Sequence, residues 1–455
     1  MRFIVLLFLS NLAVACNNIS IIQKPIVFDK ERVALTQQYR LKHYDIKSKS
    51  IVIQPRMIVL HWTQIKDISS TYNVFYPAVL SNRPDISKGG NLNVSAHFLV
   101  DRDGKIYQLM PTNWMARHVI GLNDVAIGIE NVGGVDDRED LTAAQVNANV
   151  CLVRYLKKQY PTIEYLIGHY EYGEFRYTKL WKEKDSNYFT AKKDTGEKFM
   201  RLVRGGLIHP VLSPENAKAI GEKIWQNECN GKISGLTSWN KGENFASLGI
   251  GHCIWYPAGK QDIFEESFPK LIQYMRARHV VVPKWLDKPD VPACPWQSRE
   301  EFLRAIKNNE LRLWELRQFL INTVPEQTQY LIYRLETLLP QILELVPVGE
   351  RPNIQHEIEQ LIQTPIGIYS LVDYINFKGD GILESFSGGW GLLQVLREMQ
   401  HAPNNLTPNE AYAWAASKVL KRRVASAPQA RKMNEKRWLT GWLKRVNTYR
   451  EDRNQ

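Results

Sequence analysis

Two apolar segments that each run into a histidine constrain the fold of this chain more than any other feature. Residues 57–60 lead directly into His61, and residues 165–168 lead into His169. Short apolar runs of this kind predict buried β-strands. Imidazoles at the ends of neighbouring strands can converge on one point at the rim of a sheet. The pattern therefore predicts a sheet with a polar site at one edge.

Strand and helix patterns alternate around these two segments. The predicted strands are 96–100, 105–110 and 126–130, and the predicted helix is 142–159. The turn at 101–104 joins the first two strands as a hairpin. Such alternation over about 150 residues is typical of an α/β domain. We predict this domain at residues 51–207, preceded by a polar lead-in at residues 17–50.

The second part of the chain, residues 208–455, has mainly helical spacing. Its first helix is predicted at Ser213, which offers an N-cap, followed by Pro214 at the first helical position. The last 55 residues hold 12 basic and 4 acidic side chains. We expect a mainly α-helical domain with a basic C-terminal end.

Composition excludes some classes of protein and favours an anionic partner. Apolar residues make up 44% and charged residues 23% of the chain, which excludes a mostly disordered or fibrous protein. The 59 basic and 47 acidic residues give a net charge of +12. This charge fits nucleic acid, anionic lipid or an anionic wall polymer. Nucleic acid is disfavoured because the N-terminus carries an export signal.

That export signal is an apolar run at residues 3–9, followed by Ala15 and Cys16. The position of Cys16 resembles the lipobox of bacterial lipoproteins, which implies a signal peptide at residues 1–16 and a lipid anchor on Cys16. We expect a lipoprotein of the cell envelope that faces the periplasm, at the outer membrane. The alternative is an ordinary signal peptide with an incidental cysteine. The remaining cysteines allow up to two disulfides with three possible pairings, among Cys151, Cys229, Cys253 and Cys294.

Acidic and basic side chains accompany the two histidines. Glu130 ends its own predicted strand, and Lys192 and Asp194 offer a cation and a carboxylate together. A catalytic zinc usually takes three protein ligands, commonly histidine with a carboxylate, plus a water. A carboxylate such as Glu130 can accept a proton from that water. These residues are therefore the types that a metal site with a proton acceptor beside it requires.

An ordered set of short motifs makes a resemblance specific. In chain order they are 60–63 (LHWT), 95–100 (SAHFLV), 116–118 (ARH), 127–130 (IGIE), 168–169 (GH) and 192–196 (KKDTG). The set resembles the zinc-dependent N-acetylmuramoyl-L-alanine amidases of the type 2 family, which are related to peptidoglycan recognition proteins. The resemblance implies an α/β fold with a mixed sheet flanked by helices. It also implies hydrolysis of the amide between N-acetylmuramic acid and L-alanine in peptidoglycan.

The same resemblance implies a role for each matched residue. It implies zinc binding by His61, His169 and Asp194. It further implies that Glu130 is the acid/base, that Lys192 stabilises the oxyanion, that His118 lies near the substrate and that His97 supports the sheet. The chain departs from the family in the spacing between the second histidine and the acid, because 24 residues separate His169 from Asp194. We infer an insertion there, and three acids within it are rival ligands: Glu171, Glu174 and Asp185.

A second resemblance lies in the helical part. Residues 247–252 (SLGIGH) resemble the Thr-x-Gly-x-Gly-His turn of phage-type lysozymes, which follows their catalytic Glu in sequence. This implies that Glu228 is a glycosidase acid and that Ser247 takes the Thr position. On a buried helix face, Glu228 is expected to have a raised pKa. Thr237 stands where an acidic partner is expected, and Glu243 is the nearest substitute. The alternative for Glu228 is a helix-terminal ion pair.

Three functions remain open from the sequence. The first is a peptidoglycan amidase with a lysozyme-like second domain that also cleaves glycan strands. The second is a catalytically inactive peptidoglycan-binding or scaffolding lipoprotein. The third keeps the amidase and makes the second domain a non-catalytic sugar binder.

Overall fold

The structure is a computed structural model that describes residue 16 and residues 19–450, apart from 82, 85, 209, 211, 263–264 and 383–388. The chain forms two compact units. The first unit is Met1–His209 with Val346–Pro352, and the second unit is Pro210–Leu345 with Asn353–Gln455. The predicted signal peptide lies outside the described residues, except for Cys16.

A six-stranded mixed sheet forms the centre of the first unit. Its strands are β1 (Ile21–Gln23), β2 (Met57–Trp62), β3 (Phe98–Val100), β4 (Ile106–Gln108), β5 (Ala126–Asn131) and β6 (Tyr165–Gly168). Their order across the sheet is β1-β4-β3-β5-β2-β6. Only the β3–β4 hairpin pairs antiparallel in this sheet of the described residues, and the other neighbours are parallel. The predicted mixed sheet of an α/β domain is confirmed.

Helices cover both faces of this sheet. The helices are α1 (Lys30–Tyr44), α2 (Ile68–Phe75), α3 (Ala143–Gln159) and α4 (Glu197–Leu207). Ile58 and Leu60 of β2 share an apolar cluster with α3, whereas Met57 and Val59 share a cluster with α1. Successive side chains of a strand point to opposite faces of the sheet, and helices cover both of these faces. All six residues of β2 are therefore buried. This interior strand is thereby packed on both faces next to His61.

The segment predicted as a polar lead-in contains β1 and α1. Sequence periodicity did not indicate α1 because its buried side chains are largely polar. Arg32 donates to the backbone oxygen of Phe75 at 2.9 Å, Arg40 pairs with Asp124 and His43 pairs with Glu183. These contacts give each of the three buried polar side chains at least one partner, so the helix packs without a long apolar stripe.

The rest of the chain is mainly helical, as predicted. Its helices are α5 (Pro214–Cys229), α6 (Phe268–Ala277), α7 (Arg299–Lys307), α8 (Leu311–Asn322), α9 (Val324–Leu345), α10 (Arg351–Leu361), α11 (Pro365–Lys378), α12 (Leu392–Met399), α13 (Pro408–Ser426) and α14 (Gln429–Asn447). A small antiparallel sheet lies after α5 and comprises β7 (Thr237–Ser238), β8 (Ala246–Leu248) and β9 (Cys253–Trp255). As predicted, Ser213 caps α5 by accepting from the N–H of Asn216. Within the described part of the chain, no helix has the length and apolarity needed to cross a membrane.

Cys16 and Cys151 form a disulfide, and this bears on the predicted lipid anchor. Lipidation of Cys16 uses the same sulfur atom, so the disulfide and the anchor exclude each other in one molecule. The anchor stays a prediction. Cys229, Cys253 and Cys294 are free and buried among the described residues.

Candidate metal centre and catalytic site

The two predicted histidines meet at one edge of the sheet. His61 lies near the end of β2, and His169 directly follows β6, the strand that pairs with β2. The Nδ1 atoms of the two rings are 3.0 Å apart. Two parallel strands that end side by side thus bring together side chains 108 residues apart in the chain.

Asp194 completes the group. Its Oδ2 atom lies 3.2 Å from Nδ1 of His61 and 2.9 Å from Nδ1 of His169. One ligand atom from each of these three residues lies within 4.8 Å of the others. The backbone oxygen of Asp194 accepts from the N–H of Tyr170 at 2.7 Å. This hydrogen bond holds Asp194 at the edge of the sheet, although a long segment separates it from His169 in the chain.

The rival acids of the insertion are engaged elsewhere. Glu171 accepts from the backbone N–H of Gly168 and pairs with Arg204 and Arg351, each at 2.7 Å. Arg351 also pairs with Glu174 at 3.3 Å. Asp185 accepts from the backbone N–H of Asn187. Among the predicted candidates, Asp194 is therefore the acid that the structure brings to both histidines.

A chain of hydrogen bonds sets the protonation of His61. The backbone oxygen of Ala126 can only accept, so the nearby Nε2 of His118, at 3.3 Å, donates to it. Nδ1 of His118 is then an acceptor, and it lies 3.0 Å from Nε2 of His61. His61 thus carries its proton on Nε2 and directs the Nδ1 lone pair towards His169 and Asp194. This is the state that a metal-binding imidazole requires.

Electrostatics favour the same state. Burial, followed by the neighbouring His169, lowers the pKa of His61 to about 4. Burial alone would raise the pKa of Asp194, but the neighbouring His169 holds it well below its usual value. A neutral imidazole beside an ionised carboxylate matches the two-histidine, one-carboxylate donor set of catalytic zinc sites. The three residues fit a zinc ion.

The donor atoms line a cavity of about 800 Å³. The same cavity is lined by six of the seven residues assigned through the amidase motifs, all except His97: His61, His118, Glu130, His169, Lys192 and Asp194. A substrate that enters this cavity meets the metal-binding group, a carboxyl and an ammonium together.

Glu130 has the properties of a proton-transfer group. It lies opposite His61 in the β2–β5 register. Its Oε2 atom is buried and has no hydrogen-bond partner among the described residues. Burial raises the pKa of Glu130 well above its usual value, and Asp194 adds to the rise. A buried carboxyl oxygen without a partner is costly, and such groups occur at functional sites.

His118 and His97 have different surroundings. His118 lines the cavity, as expected for a substrate contact, but it also holds the tautomer of His61, a role that the sequence did not indicate. His97 is fully buried, accepts from the N–H of Gly128 at 3.0 Å and donates to the backbone oxygen of Trp114 at 2.8 Å. His97 therefore ties β5 to a neighbouring loop.

The predicted site of the second unit is a partly buried polar cluster. Glu228 accepts from Arg445 and, at 3.1 Å, from Asn376. Nδ1 of His252, from the Gly-Ile-Gly-His turn, lies 3.4 Å from its Oε2 atom. The ion pair that the sequence left open as the alternative for Glu228 is therefore present, with Arg445 as the partner. Sequence reasoning missed Arg445 because it lies 217 residues further along the chain.

Ser247 and Glu243 lie in different surroundings from each other. Ser247 is buried within β8. Glu243 accepts from Asn240 at 3.2 Å and lines a depression of about 260 Å³ whose lining includes neither Glu228 nor Ser247. Within the described residues, that depression does not unite the three predicted lysozyme-like residues.

Parts of this chain are similar to several known proteins. The endolysin of Klebsiella phage KP32 is 34% identical over 86 residues, which is 18% of this chain and 56% of the endolysin. The chain thus spans little more than half the length of that relative. Among solved structures, the N-acetylmuramoyl-L-alanine amidase LysC from Clostridium intestinale URNW is 22% identical with a TM-score of 0.22, covering 34% of this chain and 85% of that chain.

Drosophila peptidoglycan recognition protein SD is 17% identical with a TM-score of 0.24, covering 36% of this chain and 97% of that chain. TM-scores this low support no conclusion by themselves. The match to a family carries more weight, because it spans every residue of the metal-binding group. Residues 52–197 of this chain match the sequence model of the family described as N-acetylmuramoyl-L-alanine amidase.

Proposed function

We propose that the first unit hydrolyses peptidoglycan at the amide bond between N-acetylmuramic acid and L-alanine. One observation carries the proposal: the donor atoms of His61, His169 and Asp194 converge on the wall of a cavity that Glu130 and Lys192 also line. The family match over residues 52–197 supports this choice of substrate.

Each residue of the site has a task in this proposal. His61, His169 and Asp194 hold zinc, which when bound supplies Lewis-acid polarisation of a carbonyl and a lowered pKa for a water molecule. The Glu130 carboxylate takes the proton of the attacking water at its unpartnered Oε2 atom and delivers it to the departing L-alanine nitrogen. The Lys192 ammonium stabilises the negative charge that develops on the carbonyl oxygen.

Digestion of purified sacculi tests the amidase. We expect wild-type protein to release free stem peptides, detected by mass spectrometry, and His61→Ala to release none. His401→Gln is the matched control, because this histidine is exposed and lies in the second unit. Stem peptides that stay attached to muramic acid, in a wild-type protein that binds sacculi, would instead support the inactive peptidoglycan-binding alternative.

One observation favours a second activity, glycan cleavage with Glu228 as the acid. Glu228 is adjacent to His252, so both parts of the lysozyme-like motif meet in the second unit. The pairing with Arg445 instead matches the alternative interpretation of Glu228 as a helix-terminal ion pair. New reducing sugar ends that disappear in Glu228→Gln but persist in Glu222→Gln, an exposed acid on the same helix, would support it. Ends that persist in Glu228→Gln would show that Glu228 is not the acid, and ends that never form in wild type would favour a non-catalytic sugar binder.

We also propose that the protein acts in the cell envelope, tethered through lipid on Cys16 and facing the periplasm. The apolar segment that ends at Cys16 supports this location. Labelling with radioactive palmitate in cells tests it, and label that persists in Cys16→Ser contradicts it.

A further inference from the structure

The hydroxyl of Tyr172 satisfies both backbone polar groups of a single residue in the insertion. It donates to the backbone oxygen of Thr190 and accepts from the backbone N–H of Thr190 at 3.0 Å. Tyr172 is only 1% exposed. One side chain therefore replaces the two hydrogen bonds that a neighbouring strand would otherwise provide.

The position of Thr190 makes this contact important for the site. Thr190 lies two residues before Lys192 and four before Asp194. The next backbone contact along the segment joins the oxygen of Asp194 to the N–H of Tyr170. Both contacts come from the 3-10 helix His169–Phe175, whose first residue is itself a proposed zinc ligand. One short helix thus presents His169 and also holds the segment that carries Lys192 and Asp194.

The rest of the insertion is attached at other points. Glu183 pairs with His43 of α1 at 3.0 Å, and the hydroxyl of Tyr188 accepts from Arg117 at 2.9 Å. The Tyr172 ring stacks on Trp181 and Phe189, with centroids 5.9 and 5.0 Å away. Removing only the Tyr172 hydroxyl therefore leaves the ring packing and the other attachments in place.

We propose that Tyr172 is a positioning residue, whose hydroxyl places Lys192 and Asp194 relative to His169. The proposal rests on the proposed amidase function. It concerns a residue that neither carries out proton transfer nor binds the metal in that function, and it assigns the insertion a role in assembling the site.

The test compares Tyr172→Phe with Tyr177→Phe, the same change at a tyrosine of the insertion that is 97% exposed. Three experiments are made on each protein. They measure hydrogen exchange of residues 188–194 in metal-free protein, zinc affinity by competition with a chelator, and kcat and KM for stem-peptide release. For Tyr172→Phe we expect about tenfold faster exchange of the Thr190 amide, about tenfold weaker zinc binding and about tenfold lower kcat, because a buried hydrogen-bond pair is lost. KM should stay within about twofold, and Tyr177→Phe should match wild type.

Faster exchange with unchanged zinc affinity and kcat would overturn the proposal, because Tyr172 would then be a local structural contact alone. Failure of the amidase function itself looks different. If wild-type protein releases no stem peptides, the proposed function fails, and the zinc affinity of Tyr172→Phe still decides whether Tyr172 positions Asp194.

Discussion

Nε2 of His61 lies 3.0 Å from Nδ1 of His118, and this contact fixes the direction in which His61 presents its lone pair. The backbone oxygen of Ala126 determines the tautomer of His118, and His118 in turn determines that of His61. A residue expected only to contact substrate thus also prepares a metal ligand.

Replacing His118 with Phe should weaken zinc binding. The substitution leaves the Nε2 proton of His61 buried without its acceptor, and loss of such an outer partner typically costs tenfold to a hundredfold in metal affinity. Chelator competition measures this quantity, with His401→Gln as the control. Unchanged zinc affinity in His118→Phe would show that His61 does not depend on this contact.

Replacing Glu130 with Gln should separate activity from stability. We expect kcat for stem-peptide release to fall at least about a hundredfold, because proton transfer at this position is lost. Zinc content should not change. The midpoint of thermal unfolding should not fall, since the wild-type Oε2 atom is buried without a partner. Substantial activity in Glu130→Gln contradicts the acid/base assignment.

Stability of the metal-free protein should decline in acid through His97. Burial lowers the pKa of His97 to about 4, below the usual 6.5, so the unfolded chain binds the proton more readily. The contribution of neutral His97 to the free energy of unfolding is therefore complete above about pH 6.5 and is lost as the pH falls towards 4. For one histidine the loss is about 3 kcal/mol.

Urea unfolding at pH 7 and pH 4.5 measures this effect, with chelator present at both. His97→Asn should show a smaller difference between the two pH values than wild type. His61 still titrates over the same range, so the difference should shrink without vanishing. Equal pH dependence in His97→Asn and wild type contradicts the assignment.

Protein produced without residues 1–15 in an oxidising compartment should contain the Cys16–Cys151 disulfide. Alkylation in denaturant without reductant should then modify only the three free cysteines. Cys16→Ser and Cys151→Ser should each lower the free energy of unfolding by about 2–4 kcal/mol, and the double variant should lose no more than either. Additive losses, or five reactive thiols in wild type, rule out the bond.

The sequence predicted the sheet and its histidines because local apolar runs specify strands, and parallel strand ends meet at one edge. It did not predict α1, whose buried side chains include the charged or titratable Arg32, Arg40 and His43. Burial of these groups depends on partners that are distant in the chain.

The candidate site was predictable to a similar extent. The motifs located His61, His169 and Asp194, but spacing could not choose Asp194 over Glu171. That choice depends on Arg204 and Arg351, which pair with Glu171 from distant parts of the chain. The roles of Tyr172 and Arg445 also depend on hydrogen-bond geometry that no local pattern encodes.

The zinc content of three proteins is the decisive measurement for the proposed metal site. Wild type, Asp194→Ala and Glu174→Ala are loaded with zinc, passed over a desalting column and analysed by elemental mass spectrometry. We expect a single zinc ion per chain in wild type and in Glu174→Ala, and almost none in Asp194→Ala. Zinc retained by Asp194→Ala, or no zinc in wild type, would contradict the proposed binding of one ion by His61, His169 and Asp194.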